Sequence, residues 1–560
     1  MTGRPLLTAA AFLFACAAVA KSPTLNRISP SAVAPDRTTT VTFFGERLEG
    51  AVELWTSFPA KITPGPADKA GAPGTGKLAL QISVPGDTKV GIGAVQLATT
   101  NGVSDVHLLM IDDLPTVAES ATNRTLATAQ ELKLPVAVEG NCDETSLEYF
   151  AFKAKKGQRV SVEVVANRLG SPLDPVLRLL DASGRELVYC DDDPAVGSDA
   201  RFSFIAPATA RYIVELRDIG YQGGSKYCYR LRVGNFPLAG ATFPLGAQRG
   251  ARTKVAFIGR AVEGLRPVEV RVPEHASRVS LNARFRRGQG CGFGALVAGQ
   301  FPEVMEVEPN DTPETATKLS VPSVANGRFA RMKDRDWYEF PATGGQRLIF
   351  SGRTRSLGSP CDLFMRLFDS HGKQIADADI SGANEGTLTN KFSETGTYRL
   401  LVEELNHQGG LDLPYRIEVQ PFHPGFALSV ETNRVEATGN GSFEIKVDAA
   451  RSEYEGPITL SLAGLGDDFV LENSVIAEKK NETTLKVNVP ARVQPGQRFH
   501  FTIAGKAEVD GSDFEATAGT MPALKKLFPL LRYPPSELDG LIALGIKASP
   551  PKPDDASRRE

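Results

Sequence analysis

The sequence predicts an all-β protein, arranged as a tandem array of small β-sandwich domains with a short, partly disordered C-terminal tail. Segments such as 158–165 alternate polar and apolar residues, as strands with one buried face do. Glycine (53 residues) and proline (38 residues) are abundant, which suits many short strands joined by turns. A chain of 560 residues is also long enough for about four or five domains.

The first twenty residues are predicted to be a secretion signal. Arg4 gives a positive start, residues 6–19 form an apolar core, and residues 18–20 make an A-x-A cleavage site before Lys21. A lipoprotein motif ending at Cys16 is the alternative. The apolar run is too short to span a bilayer comfortably, and no later stretch reaches that length. The mature chain is therefore expected to be secreted, periplasmic or on the cell surface, with no membrane span.

An internal duplication organises the rest of the chain. Residues 115–132 align without a gap with residues 302–319, and Gly140 then falls on Gly327. With two small slips the match continues over about 120 residues, which indicates one domain present twice. Alternating segments separated by turns predict an antiparallel sandwich for each copy.

The segments around the two copies are predicted to be smaller immunoglobulin-like sandwiches, followed by a tail. Residues 41–48 and 254–262 are similar candidate strands, and residues 458–462 alternate in the same way. The tail is expected to form a short helix over 536–546 and then a disordered, proline-rich end. The expected units are the signal at 1–20, immunoglobulin-like domains at 21–112, 237–301 and 423–521, the two copies at 113–236 and 302–422, and the tail at 522–560.

Five cysteines remain after the signal, and none has the C-x-x-C spacing of a zinc or redox motif. Cys190 and Cys228 are both absent from the second copy, where Ala378 and Pro414 stand. This paired loss predicts a disulfide between Cys190 and Cys228, with Cys142 as a competing partner.

The second copy resembles the bacterial pre-peptidase C-terminal (PPC) domain. The resemblance rests on the E-V-E-P-N-D-T run at 306–312, on Ala316 and Gly327, and on the D-W-Y run at 336–338. It implies a jelly-roll-like sandwich, often appended to secreted proteases and similar to the collagen-binding domains of clostridial collagenases. The segments at 23–112 and 237–303 resemble IPT/TIG modules, and the alternation of the two types resembles secreted proteins of planctomycete-type bacteria.

The resemblance also implies a calcium site, because relatives that bind calcium use this acidic segment and the D-W-Y turn. Calcium takes six to eight oxygen ligands, and an extended E-x-E-x-N segment projects alternate side chains to one side. The alternative is that the segment is only a polar linker and turn. The implied ligands are Glu306, Glu308, Asn310 and Asp311 in the leading segment, with Asp334 and Asp336 facing them.

The first copy serves as an internal control for this site. Glu119 and Asn123 are retained there, but Ala121 replaces Glu308 and Arg124 replaces Asp311. A guanidinium at a ligand position repels a divalent cation. The first copy is therefore predicted not to bind calcium at this place.

The charge balance and the motifs of the sequence limit the classes of function that the protein can have. Basic and acidic residues nearly balance (63 against 66, net −3), and the basic stretch at 278–287 alternates like a strand with a charged outer face, so no nucleic-acid partner is expected. Neither H-E-x-x-H nor G-x-S-x-G occurs, and every sizeable segment is assigned to a small sandwich. The sequence therefore predicts a non-catalytic exported protein that binds extracellular protein or polysaccharide. The alternatives are an accessory, targeting component of a secreted hydrolase system and a structural spacer.

Overall fold

A computed structural model describes residues 21–66, 76–378 and 385–549. Within these ranges the chain forms five consecutive two-sheet units, which confirms the predicted all-β class. They are called sandwiches 1 to 5 below. The predicted signal (1–20) and the polar end of the tail (550–560) lie outside the described residues. Among the described helices, none has the length and apolarity that crossing a bilayer requires.

Sandwich 1 encloses a core that includes Val41, Phe43 and Ile82. Val41 and Phe43 are two residues apart on one strand, so both side chains point inward. The sheet orders are β1-β3-β6-β5 and β2-β9-β7-β4, with β8 beside β7. The strands are β1 (Thr24–Ser29), β2 (Ala32–Val33), β3 (Arg37–Glu46), β4 (Ala51–Thr56), β5 (Lys61–Pro64), β6 (Lys77–Val84), β7 (Gly91–Thr99), β8 (Gly102–Val103) and β9 (His107–Ile111).

Sandwich 2 is the first copy of the repeat, and its core includes Phe150, Phe152 and Val162. The strands are β10 (Thr116–Ala118), β11 (Gln130–Leu132), β12 (Val136–Asn141), β13 (Glu148–Ala154), β14 (Arg159–Val165), β15 (Pro175–Leu180), β16 (Glu186–Cys190), β17 (Arg201–Ile205), β18 (Ala210–Asp218) and β19 (Cys228–Gly234). The sheet orders are β10-β12-β19-β14-β17 and β11-β13-β18-β15-β16. Short 3-10 turns span Leu126–Thr128 and Asn167–Leu169.

Sandwich 3 is smaller, with two three-stranded sheets ordered β20-β22-β23 and β21-β25-β24. The strands are β20 (Leu238–Phe243), β21 (Gly246–Gln248), β22 (Arg252–Arg260), β23 (Val268–Arg271), β24 (Arg278–Ala283) and β25 (Gly292–Gly299). The basic stretch begins on β24, where Arg278 is exposed and Ala283 is buried. The predicted strand therefore covers only the first part of this stretch, because β24 ends at Ala283 and the exposed Arg284, Arg286 and Arg287 lie beyond it.

Sandwich 4 repeats the strand order of sandwich 2 in both sheets, which supports the duplication: β26-β28-β35-β30-β33 and β27-β29-β34-β31-β32. The strands are β26 (Glu303–Met305), β27 (Thr317–Lys318), β28 (Ser323–Arg328), β29 (Arg335–Ala342), β30 (Arg347–Arg353), β31 (Leu363–Phe368), β32 (Gln374–Asp377), β33 (Thr387–Lys391), β34 (Gly396–Glu404) and β35 (Pro414–Pro421). Short 3-10 turns span Pro313–Thr315 and Arg355–Leu357.

Sandwich 5 has the sheet orders β36-β38-β42-β40 and β37-β45-β43-β39-β41, with β44 beside β43. The strands are β36 (Gly425–Ser429), β37 (Arg434–Thr438), β38 (Ser442–Ser452), β39 (Ile458–Ala463), β40 (Val470–Glu472), β41 (Val475–Ile476), β42 (Glu482–Asn488), β43 (Arg498–Val509), β44 (Ser512–Thr517) and β45 (Ile542–Lys547). Helix α1 spans Met521–Leu527, and a 3-10 turn spans Ser536–Leu538.

The tail differs from its prediction. Residues 536–546 do not form a helix; β45 instead lies between β37 and β43, where Ile542, Leu544 and Ile546 are buried. These alternate apolar side chains fill the core of the last sandwich, and their period of two is that of a strand. Sandwich 5 therefore extends to residue 547 rather than ending at 521.

Residues 521–547, called the C-terminal segment, also bring the two ends of the array together. Leu524 and Phe528 pack with Ala94 and Leu108 of sandwich 1. Further polar contacts join sandwiches 1 and 5, including an ion pair of 2.6 Å between Arg434 Nε and Asp105 Oδ1. The array is therefore closed on itself and is not an extended rod.

A buried ion-pair network joins sandwiches 1, 2 and 3. Asp112 accepts hydrogen bonds from Arg230 and Arg232, and the side chains of all three residues have no solvent exposure. Burial opposes ionisation of Asp112, but the two guanidinium groups outweigh it and lower the pKa of this carboxyl. Arg232 also binds Glu163 at 2.6 Å and the Cys291 carbonyl at 2.7 Å. The junction is thus fixed by paired charges.

Candidate metal site

The leading segment of sandwich 4 (residues 306–312) is held against both sheets of the sandwich. The Glu306 N–H donates to the Asn326 carbonyl at 2.9 Å, on β28. The Trp337 N–H donates to the Asn310 carbonyl at 2.9 Å, from β29. These two bonds bring the acidic leading segment beside the start of β29.

Three carboxylates meet where the leading segment contacts β29. Glu308, Asp334 and Asp336 each place an oxygen within 4.8 Å of the others; the two aspartates are buried and Glu308 is exposed. Ligands at about 2.3–2.6 Å from one calcium ion lie within roughly 5 Å of each other. The spacing therefore suits a single ion.

Asn310 completes the cluster with its side-chain amide. Its side chain is fully buried, and the amide oxygen faces Glu308 Oε2 and Asp336 Oδ1. Three oxygens facing one another require a cation between them or a donor. Rotating the amide supplies a donor, since its nitrogen then lies 2.9 Å from Glu308 and 3.2 Å from Asp336. The Asn310 side chain can therefore offer its oxygen to an ion or, without an ion, donate hydrogen bonds through its nitrogen.

Asp334 presents an oxygen suited to a ligand role. Its Oδ2 accepts a hydrogen bond of 2.7 Å from the Ala330 N–H. Its Oδ1 is buried without a hydrogen-bond partner, although Arg331 Nε lies 3.4 Å away. A buried carboxylate oxygen of this kind gains most from a cation.

Glu306 lies behind the cluster and connects to it through Tyr415. The Tyr415 hydroxyl donates to Asp336 Oδ2 at 2.6 Å and lies 3.4 Å from Glu306 Oε2. Burial, followed by the charge of Glu306, raises the pKa of Asp336 to about 9. Burial, followed by the charge of Glu308, raises the pKa of Glu306 to about 7. A divalent cation held among these carboxylates would favour their charged forms.

The structure therefore brings together four of the six implied ligands, Glu308, Asn310, Asp334 and Asp336, and places Glu306 next to them. The implication fails for Asp311, which turns outward and forms an ion pair with Arg331. Neither Arg331 nor Tyr415 is among the residues that the sequence implies for this site. Tyr415 had a detectable signal, because it aligns with Tyr229 in the first copy.

The predicted disulfide is wrong: all five cysteines among the described residues are free thiols. Cys190 ends β16 in one sheet of sandwich 2, and its Sγ contacts the Asp192 and Arg201 carbonyls. Cys228 begins β19 in the opposite sheet. Cys142 is no alternative partner, because Cys228 is registered opposite Asn141, so neighbouring Cys142 points to the other face.

Comparisons with known proteins give partial likenesses. No protein-family profile matches the chain. A stretch of 71 residues is 38% identical to a probable subtilase-type serine protease of Deinococcus radiodurans, covering 12% of this chain and 10% of the protease. The chain thus spans about a tenth of this curated relative.

Two solved structures are also similar. The pre-peptidase C-terminal domain of a collagenase from Bacillus anthracis matches over 19% of this chain and 93% of that domain, at 14% identity and a TM-score of 0.16. The complex of Dpr2 Ig1-Ig2 with DIP-Theta Ig1-Ig3 matches over 89% of this chain and 99% of that chain, at 9% identity and a TM-score of 0.12. At these TM-scores neither likeness transfers a function to the chain.

Proposed function

We propose that this chain is an exported, non-catalytic scaffold that binds extracellular protein or polysaccharide, and that calcium stabilises its fourth sandwich. The observation that carries the calcium part is the convergence of Glu308, Asp334 and Asp336, with the side-chain amide of Asn310 beside them. An ion bound there would tie the leading segment to the body of sandwich 4, immediately after the junction with sandwich 3.

The chemistry of the donors favours calcium. Carboxylate and amide oxygens are hard ligands, as calcium prefers, and the cluster contains neither imidazole nor thiolate. Burial on the Asp334 and Asp336 side and exposure on the Glu308 side leave one open face for water ligands. Magnesium requires a near-ideal octahedron and retains more of its water, so an irregular set of side-chain oxygens suits it less well.

Two of the six histidines, His107 and His500, are held neutral by their surroundings. Burial lowers the pKa of His107 to about 4, and burial followed by Arg498 lowers that of His500 to about 3, so both are neutral at pH 7. His500 packs edge-on against Trp55 and bonds to Gln96 at the junction of sandwiches 1 and 5. The contacts of His500 are thus those of a side chain that packs between the two sandwiches.

A second function, an accessory component of a secreted protease system, is favoured by the 71-residue likeness to a subtilase-type protease. Capture from culture medium with the purified chain separates the two. Retention of a glycan or matrix protein supports the first function, and co-purification of a secreted protease supports the second.

The calcium site is tested by thermal unfolding of the full chain with calcium and with chelator. Calcium should raise the melting temperature, because an ion at one hundred times its Kd stabilises the folded state by about 2.7 kcal/mol. Asp336→Asn should abolish the shift, and Asp377→Asn, which changes an exposed acid on β32, should retain it. An unchanged melting temperature in the native chain, or an equal shift in Asp336→Asn, would refute the site.

A further inference from the structure

The cluster in sandwich 2 that corresponds to the candidate metal site contains a positive charge of its own. We infer that the guanidinium of Arg124 is the resident cation of this cluster, and that the residues around it form a latent site for a hard divalent cation. The inference rests on the contacts of sandwich 2 alone and does not depend on whether sandwich 4 binds calcium.

The backbone frame of the two clusters is the same. In sandwich 2 the Tyr149 N–H donates to the Asn123 carbonyl at 2.8 Å, as Trp337 does to Asn310. The Asn141 N–H donates to Glu119 Oε2 at 3.1 Å, and in sandwich 4 the Arg328 N–H donates to Glu306 Oε1 at 3.0 Å. Equivalent side chains therefore point to equivalent places.

Arg124 lies at the centre of this frame. Its Nη1 is 2.8 Å from Glu119 Oε1 and donates to Asn123 Oδ1 at 3.0 Å. Its Nη2 is 3.0 Å from Asp143 Oδ2, and Nη1 also forms an ion pair with Glu148. One guanidinium thus gathers three carboxylates and an amide oxygen, the same types of donor that surround the candidate ion in sandwich 4.

The burial of the acids explains why a cation is needed. The Glu148 side chain has no solvent exposure and that of Glu119 is 11% exposed. Burial raises the pKa of Glu119, and the Arg124 charge opposes that rise. A buried carboxylate without a partner is strongly destabilising, so removing Arg124 leaves the cluster in need of another positive charge.

The substitutions between the copies are complementary. Glu308 and Asp334 of sandwich 4 correspond to Ala121 and Ser146, so sandwich 2 lacks two carboxylates of that cluster, while Asp143 adds one at its exposed edge. Ser146 Oγ now donates to Glu148 Oε1 at 2.7 Å. With one carboxylate fewer than in sandwich 4 and the guanidinium of Arg124 added, the net negative charge of this cluster is lower.

Ions can reach this place once the side chain is shortened. Arg124 lines a groove of about 360 Å³ between sandwiches 1 and 2, together with Arg27, Glu119 and Asp143. Truncating it therefore opens the carboxylates to solvent. A calcium ion of millimolar affinity, as in extracellular modules, is the expected occupant.

Isothermal titration of calcium into full-length chains tests the inference. The Asp336→Asn variant removes the candidate site of sandwich 4 and should take up no calcium. The double variant Arg124→Ala/Asp336→Asn should bind one calcium ion per chain. Its melting temperature should fall below that of Asp336→Asn in chelator and recover in millimolar calcium.

The matched control is Arg185→Ala/Asp336→Asn, which removes a 76% exposed arginine of the same sandwich and should bind no calcium. Arg124→Gln/Asp336→Asn replaces the double variant if that chain does not fold. Absence of calcium uptake in the folded double variant, or an unchanged melting temperature in chelator, overturns the inference. Absence of uptake by the native chain overturns the proposed calcium site instead, so the two failures are distinct.

Discussion

At the scale of single residues, the two copies share a glycine that makes room for a tyrosine and a glutamate. A Cβ at Gly327 would lie 2.2 Å from Tyr415 Oη and 2.4 Å from Glu306 Oε2. In sandwich 2 a Cβ at Gly140 would meet Tyr229 Oη and Glu119 Oε2 at 2.4 and 2.3 Å. Glycine is required here for close approach, since neither position has a positive φ.

Gly327→Ala should therefore destabilise sandwich 4 by about 1–3 kcal/mol, as overpacking of a filled interior does. Urea unfolding of the full chain measures the change. Gly396→Ala is the matched control in the same sandwich, because its nearest neighbour would be a Tyr398 carbon at 4.0 Å. Equal midpoints for both variants would contradict the packing argument.

Part of the site could be predicted from local spacing, and part could not. The alternation of Glu308 and Asn310 along an extended segment is a property of neighbouring residues, so it is readable from the sequence. Asp311 is drawn away from the cluster by its ion pair with Arg331, a partner twenty positions away that only the fold brings close. The Cys190–Cys228 pairing failed for the same reason, because paired replacement says nothing about where the fold places each cysteine.

At the scale of elements, the strands of the two copies were predictable and β45 was not. The two copies are recognisable because their sequences are similar and because polar and apolar residues alternate within each strand. The segment containing β45 is short, and its apolar residues are compatible with either a helix or a strand. The strand conformation of β45 is decided by the gap between β37 and β43. These two strands are distant in sequence and supply the hydrogen-bond partners of β45.

The junction of sandwiches 1 and 2 gives a prediction at this scale. Asp112→Ala leaves Arg230 and Arg232 buried with one fewer counter-charge, and this should cost about 3–5 kcal/mol. Guanidinium unfolding followed by tryptophan fluorescence measures the loss. Glu186→Ala breaks the partly exposed pair with Arg178 and should cost less than about 1 kcal/mol. A cost for Asp112→Ala as small as this control would show that the network does not hold the junction.

At the scale of the whole molecule, closure depends on the C-terminal segment. Besides sandwich 1, it reaches sandwich 2 through Phe528 against Gly170 and sandwich 3 through an ion pair of 3.1 Å between Glu537 and Arg278. The Tyr533 hydroxyl lies 3.4 Å from Glu385 of sandwich 4. The number of domains could be predicted from the sequence because each domain has its own periodicity, but contacts between distant domains leave no such pattern.

Leu524→Glu should undock helix α1 from sandwich 1. Loss of a buried leucine costs about 2–5 kcal/mol, and an unpaired carboxylate in an apolar contact adds to that cost. Small-angle X-ray scattering should show a larger radius of gyration while circular dichroism remains that of folded sandwiches. Leu530→Glu, at a side chain 57% exposed, should leave the scattering curve unchanged. Identical curves for both variants would mean that the helix does not hold the molecule closed.

The contact between sandwich 1 and residues 521–547 also sets an order of events during synthesis. A ribosome releases the N-terminal domain first, so the flank around Ala94 and Leu108 is made long before the helix that covers it. A chain that stops short of the helix leaves this flank bare. Proteases and chaperones can then recognise the exposed apolar surface, and so distinguish a truncated chain from one that contains the helix.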